Sequence, residues 1–237
     1  VVVEGAFGKE IEPVPKNPLG LKTLLQPYLI RRTKTKVLKE LPPLIRQGLY
    51  VQMTKTQQDM YMEMAETGML DTPEGTIICP NDAVKLLRLR QLLCTPRTFG
   101  YDVDGGAIEA LKEQVKDSFE QGRSVAICTP FREGLAAVLV SLKEVIKKAY
   151  IIHGGLKVSP GEVARKFQQD PLVEKAIVFT ITSGMSWDAY SASDIYFVGA
   201  EWTATDNAQA ESRIHRLGQT LPTNAYYILY PGTIDEG

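Results

Sequence analysis

With 237 residues, 44% of them hydrophobic and 23% charged, and a formal net charge of −1, the chain reads as an ordinary globular protein with material for one large domain or two small ones. No apolar run approaches a membrane span and no signal peptide opens the chain, so no membrane partner is expected. Cys79, Cys94 and Cys128 lie too far apart for a metal knuckle or a redox pair, and they fit a reducing intracellular compartment: cytoplasm or nucleoid in a bacterium or phage, nucleus in a eukaryote.

The whole-chain charge gives no sign of a nucleic-acid partner, but charge is unevenly spread. Lys16, Lys22, Arg31, Arg32, Lys34, Lys36, Lys39 and Arg46 stand against one acid, Glu40, and the balance turns acidic over 101–120. Such a stretch permits a local DNA surface, although charge alone favours a solvated face. The chain opens on VVVEG without a methionine and stops at GTIDEG, so both ends read as cuts in a longer protein.

Residues 1–20 hold several Pro and Gly residues and read as a connector. LKTLLQPYLIRR has an apolar face interrupted by Pro27, and Leu41-Pro42-Pro43 ends any helix there. IRQGLYVQM alternates as a strand does. Thr54 with Gln57 forms a capping box, so a helix runs over about 55–66 with Met60, Tyr61, Met64 and Ala65 on its buried face. Residues 67–81 read as a loop, a short helix follows over 82–93, and Thr95-Pro96 stops it. DVDGG is a second turn-rich linker.

Beyond it, helices over 107–121, 132–147, 159–169 and 206–218 alternate with strands over 125–129, 150–152, 176–182, 194–198 and 225–230. Ile108, Leu111, Val115 and Phe119 follow helical spacing, Ser159-Pro160-Gly161-Glu162 is a capping box, and Asp206 caps the last helix, which ends at Gly218. This rhythm predicts an α/β fold, a parallel sheet with helices on both faces, whose ligands sit at the carboxyl ends of the strands. Loops 129–132, 153–159, 183–192 and 199–206 are the candidate working edge. The expected organisation is a connector with the basic RRTK segment over 1–50, a mainly helical subregion over 51–104, and the sheet domain over 105–237.

In a helix over 206–217, Gln209, Arg213 and Arg216 fall within a stripe of roughly 60°. Ala210, Ile214 and Leu217 fall on a neighbouring stripe that can face the sheet. Two guanidiniums side by side repel unless an anion sits between them, and a polyphosphate is a natural candidate because the planar fork matches phosphate oxygens. From spacing alone, a solvated Arg/Gln face paired with Glu201 or Glu211 is slightly favoured.

The segment holding these residues, QAESRIHRLGQ, resembles motif six of helicase superfamily two in its Swi/Snf-type form, Q-A-x-x-R-x-H-R-x-G-Q, with every fixed position matched. IRRTKTKVLKELPP looks like that family's RRTK…V…LP entry segment. LLRLRQLLCTP looks like its LRQ…C.HP helix, with Thr95 where the family usually has His. SVAICTPF resembles motif four, IIHGG the following strand and its Gly-containing turn, and PTNAYYILYPGTIDE the V-Y-x-L…GT-x-E ending. The resemblance covers about residues 19–236, in order. Motif five departs: where the family usually has A-G-G-x-G-L-N-L-T-A-A-D, this chain reads ITSGMSWDAYSASD. Gly184, Ser191, Ala192 and Asp194 keep its character and Ser186 stands where glycine is usual, but Trp187 and Asp188 are unusual. Trp187 reads equally as a core aromatic fixing the loop or as a neighbour of nucleotide or DNA. The helix starting at Ser159 lacks the arginine common early in the family's segment.

The resemblance implies a RecA-like sheet, the second lobe of a P-loop NTPase-type helicase motor. No G-x-x-x-x-G-K-[ST] string occurs in the sequence, and no Asp-Glu pair follows a hydrophobic strand to hold Mg²⁺. The family resemblance therefore implies that ATP and Mg²⁺ are held mainly by an N-terminal lobe, on which this lobe closes, and that the fragment alone is inactive. Arg213 and Arg216 are then the expected catalytic residues, stabilising charge that develops on the γ-phosphate. Gln209, Gly184 and Asp188 are expected at the nucleotide, Asp188 reaching a ribose hydroxyl. DNA, duplex and contacted without sequence preference, is expected to meet Thr129, Pro130, Phe131, Gly154, Gly155, Ser183, Arg31 and Arg32; no metal ligand and no membrane contact are expected in this chain. Two other readings stay open. One is a non-catalytic DNA-binding or scaffold lobe, which the altered motif five supports. The other is a superfamily-two motor working on RNA or in a restriction system, against which the RRTK and LRQ segments speak.

Overall fold

The computed structural model describes residues 2–5, 8–11, 17–30, 34, 38, 40–183 and 187–236. Contacts divide the chain between Glu40 and Leu41. In the first unit, strands β1 (Val2–Gly5) and β2 (Gly8–Ile11) pair antiparallel. Helix α1 (Pro18–Leu25) opens with proline, whose fixed φ suits a first turn, and the Asn17 side chain accepts from Gly20 N at 2.8 Å. Arg31 and Arg32 lie outside the described residues.

The second unit starts with strand β3 (Leu44–Tyr50), helix α2 (Lys55–Thr67), a hairpin of β4 (Met69–Thr72) and β5 (Gly75–Ile78), and helix α3 (Asp82–Cys94). The α/β alternation follows: α4 (Gly106–Glu120), β6 (Ser124–Thr129), α5 (Arg132–Leu142), β7 (Lys148–Ile152), α6 (Pro160–Gln169), β8 (Lys175–Thr180), β9 (Ala192–Val198), α7 (Ala204–Ile214) and β10 (Thr223–Leu229). Six strands form one parallel sheet in the order β3-β10-β9-β6-β8-β7.

Strands β6, β8 and β9 are buried at every position, as expected where a parallel sheet is covered on both faces. Alternate side chains point to opposite faces, and the core divides accordingly. Val125, Ile127, Val178 and Tyr196 pack in one cluster with Ile108, Leu111 and Val115 of α4, Leu135 and Val138 of α5, Met64 of α2 and Leu92 of α3. Ala126, Cys128, Phe179 and Phe197 pack in the other with Phe167 of α6 and Ala210 and Ile214 of α7. A fully buried side chain such as Phe167 contributes roughly 2–3 kcal/mol.

Two departures from the sequence expectations have local causes. Residues 67–81 are not all loop: Thr72 Oγ1 donates to Gly75 O at 2.7 Å, Gly75 takes φ 126°, and buried Leu70 gives the short hairpin a core contact. Helix α5 stops at Leu142, where Val145 N and Ile146 N both turn back to Leu142 O. Strand β3, expected from the alternation of IRQGLYVQM, pairs with β10 along its whole length.

Polar ties join α2 and α3 to the sheet. Helix α4 has no side-chain cap of its own; Gln57 Oε1 accepts from Gly106 N at 3.0 Å and the Tyr230 hydroxyl accepts from Ala107 N at 2.6 Å. A Cβ at Gly106 would lie 1.9 Å from Gln52 O, so the close approach requires glycine. Asp104 accepts from Arg97 Nε (2.6 Å), Lys112 Nζ (2.6 Å) and Ser141 Oγ (2.5 Å). Burial pushes its carboxyl up, but the hydrogen bonds from Lys112, Ser141 and Arg97 outweigh that and hold it at about 2. The folded value lies below the unfolded one, so the stabilisation is present above about pH 4 and lost as pH falls through about 2. Asp104→Asn should remove roughly 2 kcal/mol at neutral pH and flatten the acid limb of stability, read as urea midpoints between about pH 2 and 5. An unchanged acid limb would contradict this role.

Candidate functional site

The loops after β6, β7, β8 and β9 lie along the carboxyl edge of the sheet. Helix α7 starts at this edge and runs back along the sheet, with Ala210 and Ile214 buried in the core, as expected. Its start and end differ from expectation. Thr203, not Asp206, is the N-cap, accepting from Asp206 N at 3.3 Å. The helix ends at Ile214, and His215 (φ −82°, ψ 78°) makes an inverse γ-turn in which Arg216 N donates to Ile214 O at 3.0 Å. The expected single helical stripe is therefore corrected: Gln209 and Arg213 are on the helix, Arg216 is on the turn after it, and Leu217 is exposed instead of facing the sheet. The cause lies in the flanking contacts. His215 Nε2 sits 2.8 Å from Pro42 O, and buried Gln219 donates from Nε2 to Ala192 O at 2.7 Å. Gly218 takes φ 104°, where a Cβ would also come within 3.1 Å of the Tyr190 ring.

The two arginines still meet the same loop. Arg216 Nη1 lies 2.6 Å from Asp188 Oδ1, and half of the Arg216 side chain stays exposed. Arg213 places its guanidinium 4.9 Å from the Trp187 ring centre and donates from Nη1 to Trp187 O at 3.2 Å, while its own carbonyl accepts from Ala189 N. Burial lowers the Arg213 guanidinium from its ordinary value, Asp188 opposes that, and the neighbouring charge of Arg216 adds to it. The anion between the arginines is thus a carboxylate of this chain. Neither Glu201 nor Glu211 pairs with them: Glu201 lies 3.8 Å from Arg90, and Glu211 belongs to Arg46.

Trp187 is buried, packs edge-on against Phe179 and donates from Nε1 to Ser183 O at 3.1 Å, which places it in the core of the loop. Gln168 of α6 holds the same loop from outside, donating to Asp188 O and accepting from Ser191 N and Oγ. A cleft of about 330 Å³ lies here, lined by Gly161, Ala164, Arg165, Gln168, Trp187 and Asp188. Gly184 lies outside the described residues.

The other expected contact residues divide by exposure. Thr129, Phe131 and Ser183 are buried: β6 ends with its last side chains in the core, and Thr129 Oγ1 accepts from Phe131 N. Pro130 is half-buried, and Gly154 and Gly155 are exposed. Residues passed over in the sequence also stand on this edge. Exposed Arg132 reaches within 3.9 Å of where a Gly155 Cβ would be. Arg90 of α3 lies 4.5 Å from the ring centre of exposed Trp202 and 5.5 Å from that of Phe131. No local spacing signals these, because each depends on a contact between distant segments.

The SNF2-related domain family matches residues 12–98. An uncharacterized ATP-dependent helicase of Mycoplasma pneumoniae is 28% identical over 219 residues, spanning 89% of this chain and 21% of that protein. Over these stretches the chain is similar to SNF2-related proteins. Solved structures share its fold: the Sulfolobus solfataricus SWI2/SNF2 ATPase core in complex with dsDNA superimposes with a TM-score of 0.66 at 22% identity, over 92% of this chain and 48% of that one. The C-terminal part of the Fun30 ATPase domain gives a TM-score of 0.64 at 16% identity, over 83% of this chain and 88% of that one. The six-stranded sheet with helices on both faces is accordingly RecA-like. The chain spans less than a quarter of the length of the curated relatives first matched. No helix among the described residues is long and apolar enough to cross a membrane.

Proposed function

We propose that this chain is the C-terminal lobe of an ATP-dependent DNA translocase and supplies Arg213 and Arg216 to ATP held on an N-terminal lobe. The observation that carries the reading is the convergence of both arginines on the Trp187–Asp188 loop, which runs from the carboxyl end of β8 to the amino end of β9. The similarity to the C-terminal part of an ATPase domain supports the lobe assignment. Mg²⁺ is held with the nucleotide by the other lobe, and the fragment alone does not turn over ATP.

In this reading the γ-phosphate takes the place of Asp188 at Arg216 when the lobes close. The guanidinium then meets charge that develops in the transition state. Arg213, stacked on Trp187, keeps its direction without rearrangement. Gln209, exposed one turn earlier on α7, orients the nucleotide. Duplex DNA runs along the carboxyl edge past Pro130, Gly154, Gly155 and Arg132, where contacts to phosphates track it without reading sequence. The basic RRTK run leads in from the other lobe.

The test is ATP hydrolysis by the full-length protein with duplex DNA or with RNA. Duplex DNA of unrelated sequences should stimulate strongly and equally, and rising salt should weaken the effect. Stimulation by RNA equal to or above that by duplex DNA would overturn the DNA assignment.

A further inference from the structure

The last residue of the basic stretch, Arg46, stands in the second unit, on β3. Charge and sequence position make it a candidate phosphate contact. Its guanidinium does something else: Nε and Nη2 each lie 2.7 Å from one oxygen of Glu211, a two-point pair between side chains 165 residues apart. Glu211 is on α7, two residues before Arg213, and its carboxylate is 2% exposed. Tyr227 of β10 donates its hydroxyl to the same carboxylate at 2.9 Å and stacks flat on Phe197 of β9. Four residues on, His215 sits against Pro42 O, in the segment that enters β3. The entry segment thus holds α7 at two points, one on each side of Arg213, and the second point is the γ-turn that carries Arg216.

A buried carboxylate has few rotamers open to it when a planar fork grips both oxygens and a hydroxyl holds one. That fixes the rotation of α7 about its own axis. Arg213 and Arg216 inherit this rotation, since one is on the helix and the other two residues past its end. We infer that Arg46 is a positioning residue: through Glu211, and together with the Pro42–His215 contact, it sets the phase at which α7 presents Arg213 and Arg216 to nucleotide. The inference rests on the arginine reading above. It makes the segment that enters β3 a brace for the arginines, in place of a DNA contact at Arg46.

The test uses the full-length protein and a double-mutant cycle. Arg46→Met is expected to lower DNA-stimulated kcat about tenfold, with the KM for ATP and the affinity for duplex DNA within about twofold of wild type. Combined with Arg216→Ala, it should add little further loss, because it acts through Arg216. Glu211→Gln keeps the shape and removes the charge. It should show the same split between kcat and KM, and it serves should Arg46→Met fail to fold. Fully multiplicative losses in the double variant, or weakened DNA binding with kcat kept at saturating DNA, would overturn the positioning role. Normal turnover in Arg216→Ala alone would instead overturn the arginine reading beneath it, and the two failures are read from different variants.

Discussion

Arg216→Ala in the full-length protein should lower DNA-stimulated ATP turnover about 10³-fold or more while the protein stays folded and still binds duplex DNA. An arginine that meets the transferring phosphoryl group contributes on the order of 10³–10⁵ in rate, or roughly 4–7 kcal/mol of barrier. The folded state depends little on Arg216. Its side chain is half exposed, and a pair such as that with Asp188 contributes at most about 1 kcal/mol. The same weakness lets a phosphate take the carboxylate's place at small cost. Arg216→Lys should restore little, because an ammonium is a single point charge and cannot match two phosphate oxygens in one plane. Arg213→Ala should also slow turnover, but with a measurable loss of stability, since its guanidinium covers Trp187 and bonds the Trp187 carbonyl. Steady-state kcat with saturating duplex DNA, next to thermal unfolding of each variant, separates these outcomes. Turnover near wild type in a folded Arg216→Ala protein would remove Arg216 from the chemistry.

Much of this architecture is legible from local sequence. The capping pairs Thr54–Gln57 and Ser159–Glu162 mark true helix starts, and the side chains of Thr54 and Ser159 accept from Gln57 N and Glu162 N. The apolar runs of β6, β8 and β9 are buried on both faces, and the alternation of strands and helices gives the parallel sheet. What escapes is whatever depends on partners far apart in the chain. Helical periodicity carries α7 on to Leu217, yet the helix stops at Ile214 because His215 and Gln219 are held by Pro42 and Ala192. Four-residue strands closed by Pro73-Glu74 are dominated by turn formers, so the hairpin at 69–78 reads as loop.

The site was legible in part, and for the same reason. Spacing aligns Arg213 and Arg216, and the motif letters give them a role, but their anion is found only when Asp188 is seen beside them. Glu211, a possible surface partner for those arginines by spacing, is instead buried beneath Arg46. Thr129 and Phe131 belong to a segment that resembles motif four, yet they serve the core, because the strand delivers its last side chains inward before the chain turns out to Arg132.

Asp194, six residues beyond Asp188 in the same altered motif, should behave in the opposite way. Asp194→Ala is expected to cost about 3–5 kcal/mol of stability, the range for breaking a buried charge pair from one side. The carboxylate is 3% exposed at the start of β9, level with Val125 of β6 and Asn224 of β10. It accepts from Ser118 Oγ (2.7 Å), Asn224 Nδ2 (2.8 Å) and Arg123 Nε (2.9 Å), with Arg123 Nη2 at 2.7 Å. Removing it strands the buried Arg123 charge with only Pro222 O to meet it, and leaves the Ser118 and Asn224 donors short of an acceptor. For a unit of this size the loss corresponds to a fall of roughly 6–20 °C in Tm. Asp194→Asn keeps one acceptor oxygen and should lose less. Asp188→Asn should leave Tm within about 2 °C, since it gives up only a half-exposed pair. Because the Asp194 carboxylate is tied to Ser118, Arg123 and Asn224, folded Asp194→Asn protein should keep its kcat. A Tm unchanged in Asp194→Ala, or a folded Asp194→Asn protein with turnover as low as that of Arg216→Ala, would reverse the division between the two aspartates. The division follows from burial: the Asp194 carboxylate is enclosed by Arg123, Ser118 and Asn224, whereas the Asp188 carboxylate meets the half-exposed Arg216.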